Sequence, residues 1–305
     1  MSEPCGLLLL DKPQGFTSMD AVNVVRRLYH TRQVGHAGTL DPLATGLLVV
    51  MVGRAVKLSG FLIASSKSYE AVLRLGVTTD TGDVTGKVLS EKKHSVSLAE
   101  IEAVLPSFRG NILQTPPMVS ALKINGQKLV DLARKGKTVE RSPRAITVEE
   151  LTVSPLENGD YALRLRCSKG TYVRTLCEDI GEKLGCGGTM VSLRRTASGG
   201  YSVSDAHTPE EIAAFTDEER LSLLLPAEDL FASCPLVTLS PFFERLGRNG
   251  QKLNQKKIGI NYPPETLVRL AGENGFFALG KIEQAEEGSV VRPVCQMDVS
   301  PSGGK

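Results

Sequence analysis

The chain has 305 residues, of which 41% are hydrophobic, and its formal net charge is only +2. This length is enough for two domains or for one large domain with an appendage, and the composition excludes a globally disordered chain. The longest apolar runs, in residues 6–10 and 46–53, are too short to span a bilayer, and no secretory signal is visible.

Strand and helix patterns follow one another irregularly in the first part of the chain. Residues 6–10 predict a buried strand that ends at the turn formed by residues 11–15. The capping pair Thr17 and Asp20, followed by apolar residues at helical spacing, predicts a helix after that turn. Residues 46–52 indicate either a buried strand or the start of a helix.

Further along, apolar and polar residues alternate in 69–77 and again in 161–168, which is typical of half-buried strands. Capping residues before apolar periodicity predict helices from Ser97 and from Thr208. A further helix is predicted within "GTYVRTLCEDIGEKLG", with Gly185 as its C-cap. Since these elements show no regular βαβ order, the sequence predicts an α+β fold with a largely antiparallel sheet.

The C-terminal part differs in pattern from the rest. Prolines at positions 226, 235 and 241 interrupt the chain and indicate a boundary. Beyond it, short strand-like pieces separated by turns predict a small β-rich domain of roughly sixty residues; they occupy residues 267–270, 276–282 and 289–294. We expect one domain over residues 1–232 and a second over residues 235–300.

One carboxylate stands out in "GHAGTLDPLATGLLVV", residues 35–50. Asp41 lies between a small-residue turn and an apolar run, with Gly38 shortly before it and Pro42 directly after it. An Asp-Pro pair whose side chain caps its own backbone is typical of an ordinary turn. The pattern alone therefore leaves a structural and a functional role open for Asp41.

Several common kinds of site lack their sequence signals. The glycine-rich stretches match neither a phosphate-binding loop nor a dinucleotide fingerprint, and no nucleophile elbow occurs. The six cysteines form no Cys-x-x-Cys pair and the four histidines are scattered, which predicts neither a zinc site nor a disulfide framework. We expect a cytoplasmic protein with reduced thiols whose chemistry depends on side chains alone.

Positive charge is concentrated between residues 110 and 145. This segment carries seven basic and two acidic residues, a net charge of +5 in a chain whose total is +2. It includes a turn and a helix-like stretch, "KLVDLARKG". A basic helical arm suits a phosphate backbone, although a solvated helix face has the same composition. The basic residues are Lys123, Lys128, Arg134, Lys135, Lys137, Arg141 and Arg144.

Six stretches, in chain order, resemble the successive motifs of the TruB family of tRNA pseudouridine synthases and cover about residues 5–200; they are "GLLLLDKPQGFTS", "VGHAGTLDPLATGLL", "KSYEAVLRLGVTTDTGD", "QTPPMVSALKINGQKL", "ARKGKTVERSPR" and "CSKGTYVRTLCEDIGEKLG". The resemblance implies the pseudouridine synthase fold, a long mixed sheet flanked by helices, with residues 110–145 as an insertion that grips RNA. The C-terminal part is similar, more weakly, to the small PUA-like domain of that family.

The same resemblance implies an activity. It is the isomerisation of uridine 55 in the T-loop of tRNA to pseudouridine, by base flipping and rearrangement of the glycosidic bond, with an additional role in tRNA folding. It implies the T-arm of tRNA as partner, a monomer that works without guide RNA or membrane, and neither metal nor cofactor.

Site residues follow from the resemblance by position. Asp41 matches the family's essential aspartate, Arg174 the arginine that keeps a carboxylate ionised, and Tyr69 the tyrosine that stacks on the target base. From the residues alone, Arg174 fits a surface helix and Tyr69 an ordinary strand aromatic equally well.

Further residues match supporting roles. His36 matches a histidine that enters the rearranged T-loop, and Tyr172 and Leu193 match other pocket residues. The tRNA contacts expected in the insertion are Lys123, Lys128, Arg134, Lys137 and Arg141. Structural support of the Asp41 loop is expected from Lys12, Pro13, Gly38 and Pro42.

Two other functions remain compatible with the residue pattern. A non-catalytic RNA-binding protein would use the same basic insertion and C-terminal domain. A hydrolase with an aspartate nucleophile would act on a small molecule, and the localised positive charge argues against it.

Overall fold

The computed structural model describes residues 3–124, 126–286 and 288–297. Within these residues the α-helices are α1 (Ser18–Leu28), α2 (Ser59–Ala64), α3 (Leu98–Val104), α4 (Leu129–Arg134), α5 (Val173–Lys183), α6 (Pro209–Ala214), α7 (Asp217–Ser222) and α8 (Pro241–Arg248). The strands are β1 (Gly6–Lys12), β2 (Val34–His36), β3 (Thr45–Val52), β4 (Lys67–Leu75), β5 (Val77–Thr79), β6 (Val88–Glu91), β7 (Gly110–Gln114), β8 (Lys123–Ile124), β9 (Gln127–Lys128), β10 (Arg144–Pro155), β11 (Tyr161–Cys167), β12 (Gly188–Ser198), β13 (Tyr201–Ser202), β14 (Leu236–Thr238), β15 (Leu253–Asn254), β16 (Leu267–Gly272), β17 (Gly275–Ala285) and β18 (Gly288–Gln296).

A nine-stranded sheet forms the centre of the molecule. Its order is β1-β3-β12-β4-β11-β10-β7, with β2 added to β3 and β13 added to β12. The pairs are antiparallel except for β3 and β12, which run parallel where Arg194 and Arg195 meet Thr45 and Gly46. The predicted α+β class with a largely antiparallel sheet is confirmed.

The sheet is buried by helices on separate parts of its surface. Alternation in β4 turns Ala71 and Leu73 toward the core that α3 and α5 cover, and leaves Glu70 and Arg74 on the other face. A second core lies where α1 packs its Val22 and Val25 against β1 and β3. Both strands read as continuous apolar runs because they are buried on both faces.

Strand β1 extends two residues beyond the predicted end. Lys12 is its last residue and pairs with Gly46 of β3, so the turn begins only at Pro13. The polar Asp11 and Lys12 suggested an end, but backbone pairing continues because both side chains find partners, Asp11 with Arg194 and Lys12 with carbonyl oxygens.

The basic segment leaves and returns to the sheet at one point. Gln114, the last residue of β7, lies opposite Arg144, the first residue of β10. Between them the chain forms the short hairpin β8–β9 and helix α4. The predicted helical arm was too long, because α4 has six residues and ends before Gly136, whose φ is +67°.

The C-terminal domain contains a separate five-stranded sheet in the order β14-β16-β17-β18-β15. The predicted strands in β16, β17 and β18 are confirmed. Leu279, Cys295 and Met297 join an apolar core with Leu7 and Leu9 of β1, so the two sheets share buried surface. None of the helices in the described residues is both long and apolar enough to cross a membrane.

A close backbone approach fixes α5 on the sheet. A Cβ at Gly181 would lie 2.2 Å from the backbone of Gly187 and of Gly188. Alanine normally stabilises a helix more than glycine does. At position 181, however, its methyl group would have to displace the backbone at the start of β12. We expect Gly181→Ala to lower the free energy of unfolding by about 2 kcal/mol, measured by denaturant unfolding.

The control is Gly60→Ala in α2, where a Cβ would meet no atom within 4 Å. This change should raise stability by about 0.5 kcal/mol. If Gly181→Ala left the free energy of unfolding as high as Gly60→Ala does, the close approach of α5 to β12 would be contradicted.

Candidate active site

Asp41 lies in the loop between β2 and β3, and hydrogen bonds from three other segments hold the backbone of this loop. The Ser18 hydroxyl at the start of α1 accepts from the Leu40 N–H at 2.8 Å and donates to the Leu40 carbonyl at 3.1 Å. The Gly15 N–H donates to the Pro42 carbonyl at 2.7 Å. The Arg195 guanidinium donates to the Gly38 carbonyl at 3.2 Å. The loop is therefore fixed before any ligand arrives.

Two glycines allow this path of the chain. Gly38 has φ of +97° and Gly46 has φ of +98°, which side chains disfavour. A Cβ at Gly46 would also lie 2.3 Å from the Arg195 carbonyl oxygen. β12 can approach β3 this closely only because position 46 carries no side chain.

Arg174, in the first turn of α5, connects the Asp41 loop to two other segments. Its Nη2 lies 2.9 Å from Asp41 Oδ2 and donates to the Val119 carbonyl at 2.7 Å. Its Nη1 donates to the Thr81 carbonyl at 2.7 Å, and its Nε lies 3.7 Å from Asp83 Oδ2. One guanidinium therefore joins the loop, the turn after β5 and the basic insertion.

The Asp41–Arg174 pair is asymmetric in exposure. The Arg174 side chain is 3% exposed, whereas that of Asp41 is 38% exposed. A buried guanidinium keeps its charge and needs acceptors, so it holds the carboxylate in place while leaving one side of it open. The pair thus presents an oriented anion at a surface opening.

That opening is a cavity of about 90 Å³ between the Asp41 loop, β4, β12 and the start of α5. It brings together five of the residues singled out by the sequence, Asp41, Tyr69, Tyr172, Arg174 and Leu193. The other lining residues are Thr39, Leu40, Thr171 and Val173. The site therefore combines one carboxylate, one guanidinium, two tyrosines and apolar walls.

Buried cations lie close to the loop. Lys12 is 0% exposed and donates to the carbonyls of Pro13 and Phe16, and Lys67 donates to three carbonyls, of which Ser65 is at 2.6 Å. Burial lowers the pKa of each ammonium to about 8, and the Asp41 charge opposes that change at Lys12. Arg195, 1% exposed, donates to the Leu47 carbonyl at 2.6 Å.

Two protein-family models match the part of the chain that contains the residues lining the cavity. The model of the TruB family pseudouridylate synthase N-terminal domain matches residues 26–173, and that of the tRNA pseudouridylate synthase B C-terminal domain matches residues 174–232. The protein named tRNA pseudouridine synthase B from Stutzerimonas stutzeri (strain A1501) is 43% identical over 289 residues, 93% of each chain. The protein of that name from Neisseria gonorrhoeae (strain NCCP11945) is 39% identical over 292 residues, 96% of this chain and 92% of the relative.

The chain belongs to the TruB family of pseudouridylate synthases. A solved structure described as a Cbf5-Nop10-Gar1 complex contains a chain with a TM-score of 0.72 and 24% identity, which covers 96% of this chain and 85% of the other. At this identity the likeness concerns the fold alone. The predicted pseudouridine synthase fold is confirmed.

Other residues that the TruB resemblance singled out lie around the cavity without lining it. His36 ends β2, and burial lowers its pKa, with the Arg195 charge adding to that effect. Lys12 donates to the Pro13 carbonyl in the turn whose Gly15 N–H donates to the Pro42 carbonyl; structural support of the loop by Lys12 and Pro13 stays a prediction.

The five basic residues of the insertion that are expected to contact tRNA divide into two groups. Lys123, Lys128, Arg134 and Lys137 are exposed, and none of them pairs with a carboxylate in the described part of the chain. Arg141 differs, since it is half-buried and donates to the Pro116 carbonyl at 2.9 Å. Arg141 therefore connects the end of the insertion to its beginning at Pro116.

Sequence reasoning missed several residues that shape this TruB site. Ser18, Asp83 and Arg195 gave no signal as single residues, because a helix-start serine, a turn aspartate and a strand arginine are common. Ser18 and Arg195 bond to backbone groups of residues far away in sequence, and any residue type supplies those. The acidic "TTDTGD" turn could have suggested Asp83.

An acidic pair lies behind Arg174 on α5. Burial raises the pKa of Glu178 to about 6, with the Asp179 and Asp83 charges adding to the rise and Arg174 and Arg141 opposing it. The ordinary value for this carboxyl is 4.5. The folded state therefore binds this proton more tightly than the unfolded state, so stability falls as pH rises through about 4.5 to 6.

We expect Glu178→Gln to raise the free energy of unfolding by about 1 kcal/mol above pH 6, since it removes a buried charge. The gain should shrink toward zero below about pH 4.5, where the wild-type carboxyl is protonated in both states. Denaturant unfolding across this pH range checks the prediction, with the exposed Glu102→Gln on α3 as control. A gain that is the same at every pH would contradict it.

Proposed function

We propose that this protein converts uridine 55 in the T-loop of tRNA to pseudouridine. The observation that carries the proposal is the Asp41 carboxylate, held 2.9 Å from the buried Arg174 guanidinium at the mouth of a cavity that Tyr69 lines. Family membership and the name shared by the curated relatives support the same reaction and substrate.

The reaction breaks the bond between N1 of uracil and C1′ of the ribose and forms a bond between C5 and C1′. C5 loses a proton and N1 gains one, so the product is an isomer of the substrate. A carboxylate serves such a reaction as nucleophile toward the nucleotide or as base toward a sugar proton, and both roles require the anion. Arg174 orients the carboxylate by a charge-assisted bond.

The cavity suits a base that has left its stack. Uridine inside a folded T-loop is out of reach, so the enzyme extrudes it. Tyr69 stacks on the extruded base, and Tyr172 and Leu193 close the apolar walls around it. Burial raises the pKa of Tyr69, which keeps its hydroxyl protonated at neutral pH. His36, at the edge of the loop, enters the space that the rearranged T-loop leaves.

The insertion binds the phosphate backbone of the T-arm. Its exposed cations, which include Lys123, Lys128, Arg134 and Lys137, supply a sequence-independent electrostatic contact. Arg141 supports this surface from below, through its bond to Pro116. Because the chain has its own RNA-binding insertion, we propose that it acts as a monomer without guide RNA. We extend the proposal to a cytoplasmic location and to an additional role in tRNA folding.

We further propose that catalysis belongs to a domain over residues 1–232 and that a PUA-like domain over residues 235–300 adds RNA contacts. The five-stranded sheet from Leu236 to Gln296 supports this division; residues 298–300 lie outside the described part of the chain. The proposal includes a reaction that proceeds with neither metal nor nucleotide cofactor, as the family resemblance implies.

Asp41→Asn removes the charge while keeping the shape of the side chain. We expect pseudouridine formation in unmodified tRNA to fall by about 10³-fold or more, because the nucleophile or base is removed, while tRNA affinity stays within about threefold. Chemical mapping of pseudouridine after incubation with purified protein measures the first, and filter binding the second.

The matched control is Asp205→Asn, an exposed aspartate in another part of the domain, which should leave turnover unchanged. Turnover of Asp41→Asn within tenfold of wild type would reject Asp41 as the catalytic group. Absence of product from the wild-type protein would leave an RNA-binding protein only.

Neutralising Lys128, Arg134 and Lys137 together, each to Gln, should weaken tRNA binding and flatten its dependence on salt, by about one unit of slope for each phosphate that the protein no longer neutralises. The control is Arg164→Gln with Arg166→Gln, since these two cations already pair with Glu70 and Glu149. A slope that is unchanged in the triple variant would show that the insertion does not touch phosphates.

A further inference from the structure

Gln114 lies at the base of the insertion and contacts the active site from outside the cavity. It is the last residue of β7 and is only 3% exposed. On the neighbouring strand β10 it pairs with Arg144. The chain therefore enters the insertion directly after Gln114 and returns directly opposite it.

The Gln114 amide makes two hydrogen bonds with the backbone of one residue, Tyr172. Its Nε2 donates to the Tyr172 carbonyl at 3.0 Å, and its Oε1 accepts from the Tyr172 N–H at 2.8 Å. This reciprocal pair imitates the pairing of a neighbouring strand residue. A primary amide supplies both a donor and an acceptor with this geometry, whereas an ionised carboxylate supplies acceptors only.

Tyr172 is the residue whose position decides where α5 begins. It is the N-cap of α5, makes no cap bond with its own side chain, and accepts the first helical bond, from the Leu176 N–H at 3.1 Å. Two residues later comes Arg174, which holds Asp41. Gln114 thus fixes the first turn of α5, and with it the guanidinium that orients the carboxylate.

A second contact links the insertion to the same arginine. Arg174 Nη2 donates to the Val119 carbonyl, five residues beyond Gln114. The segment that starts the insertion is therefore joined to α5 through Gln114 and through Val119. A displacement of the insertion reaches Arg174 by both contacts.

We propose that Gln114 is a positioning residue which couples the base of the RNA-binding insertion to the Asp41–Arg174 pair. This rests on the proposed function. Gln114 touches no reacting atom; it keeps Tyr172 and Arg174 in the register that catalysis needs. Its removal lowers the rate of the chemical step and leaves tRNA affinity nearly unchanged, since the exposed cations of the insertion stay in place.

The first variant is Gln114→Leu, which removes both bonds at similar volume. We expect the single-turnover rate of pseudouridine formation at saturating protein to fall at least about tenfold, since displacements near 1 Å in an active site cost up to about 10²-fold. The dissociation constant for tRNA should stay within about threefold of wild type. A rate within twofold of wild type, or rate and affinity that fall by the same factor, overturns the proposal.

The second variant, Gln114→Glu, keeps the proposal testable if the first variant does not fold. A protonated glutamic acid donates to the Tyr172 carbonyl and accepts from its N–H as the amide does, whereas the ionised form repels that carbonyl. Burial favours the protonated form. The ratio of the Gln114→Glu rate to the wild-type rate should therefore rise at least about fivefold from pH 8.5 to pH 6. A ratio independent of pH overturns the proposal.

The matched control is Asn111→Ala on the same strand. Asn111 accepts a side-chain bond from Thr147 of β10 at 2.7 Å, at the exposed part of the same strand pair. Its rate and affinity should match wild type. A reduction in Asn111→Ala equal to that in Gln114→Leu would mean that any weakening of β7 has this effect, and it overturns the proposal.

Hydrogen exchange separates a failure of this proposal from a failure of the proposed function. If wild-type protein makes no pseudouridine in tRNA, the proposed function fails by that result alone. The Tyr172 amide should nevertheless exchange at least about tenfold faster in Gln114→Leu than in wild type, with the amides in the middle of β10 unchanged. Equal protection of the Tyr172 amide overturns the role of Gln114 independently of activity.

Discussion

The buried guanidinium of Arg174 is the contact on which the arrangement of the site depends. It carries a permanent charge, it is 3% exposed, and its acceptors come from three segments far apart in sequence, at Asp41, Thr81 and Val119. A buried cation without these acceptors would be strongly destabilising. Each segment is therefore constrained by the same side chain, and Asp41 is positioned by the tertiary structure as much as by its own loop.

The Asp41 loop adds a second constraint of the same kind. Bonds to Leu40, Pro42 and Gly38 fix its backbone from α1, from the turn after β1 and from β12. The loop needs no ordering when a nucleotide arrives, because the entropy cost of positioning the carboxylate is met during folding. Glycines at positions 38 and 46 make that path possible.

Much of the secondary structure could be predicted from the sequence because its signals are local. Capping boxes give the starts of α1 and α3, and alternation gives β4 and β11. The apolar run in residues 46–52 left a strand and a helix start open, and it forms β3. The family resemblance selected five residues that the structure brings to one cavity. Their roles in the reaction stay predictions.

The remaining features depend on contacts that leave no mark on residue type. Thr81 and Val119 contribute carbonyl oxygens to Arg174, and every residue has one. The extension of β1 to Lys12 depends on carbonyls that accept from a buried ammonium. The basic arm is shorter in helix than its composition indicated, because composition reports charge but not where a helix ends.

A crystal structure of the protein bound to an unmodified T-arm hairpin, with Asp41→Asn used to stop the reaction, tests the central claim most directly. The account predicts that the target uridine is extruded against Tyr69, that the side chain at position 41 lies within about 3.5 Å of that nucleotide, and that Arg174 still contacts position 41. A target uridine that remains stacked in its loop, or that lies in another cleft with position 41 facing solvent, would contradict the account.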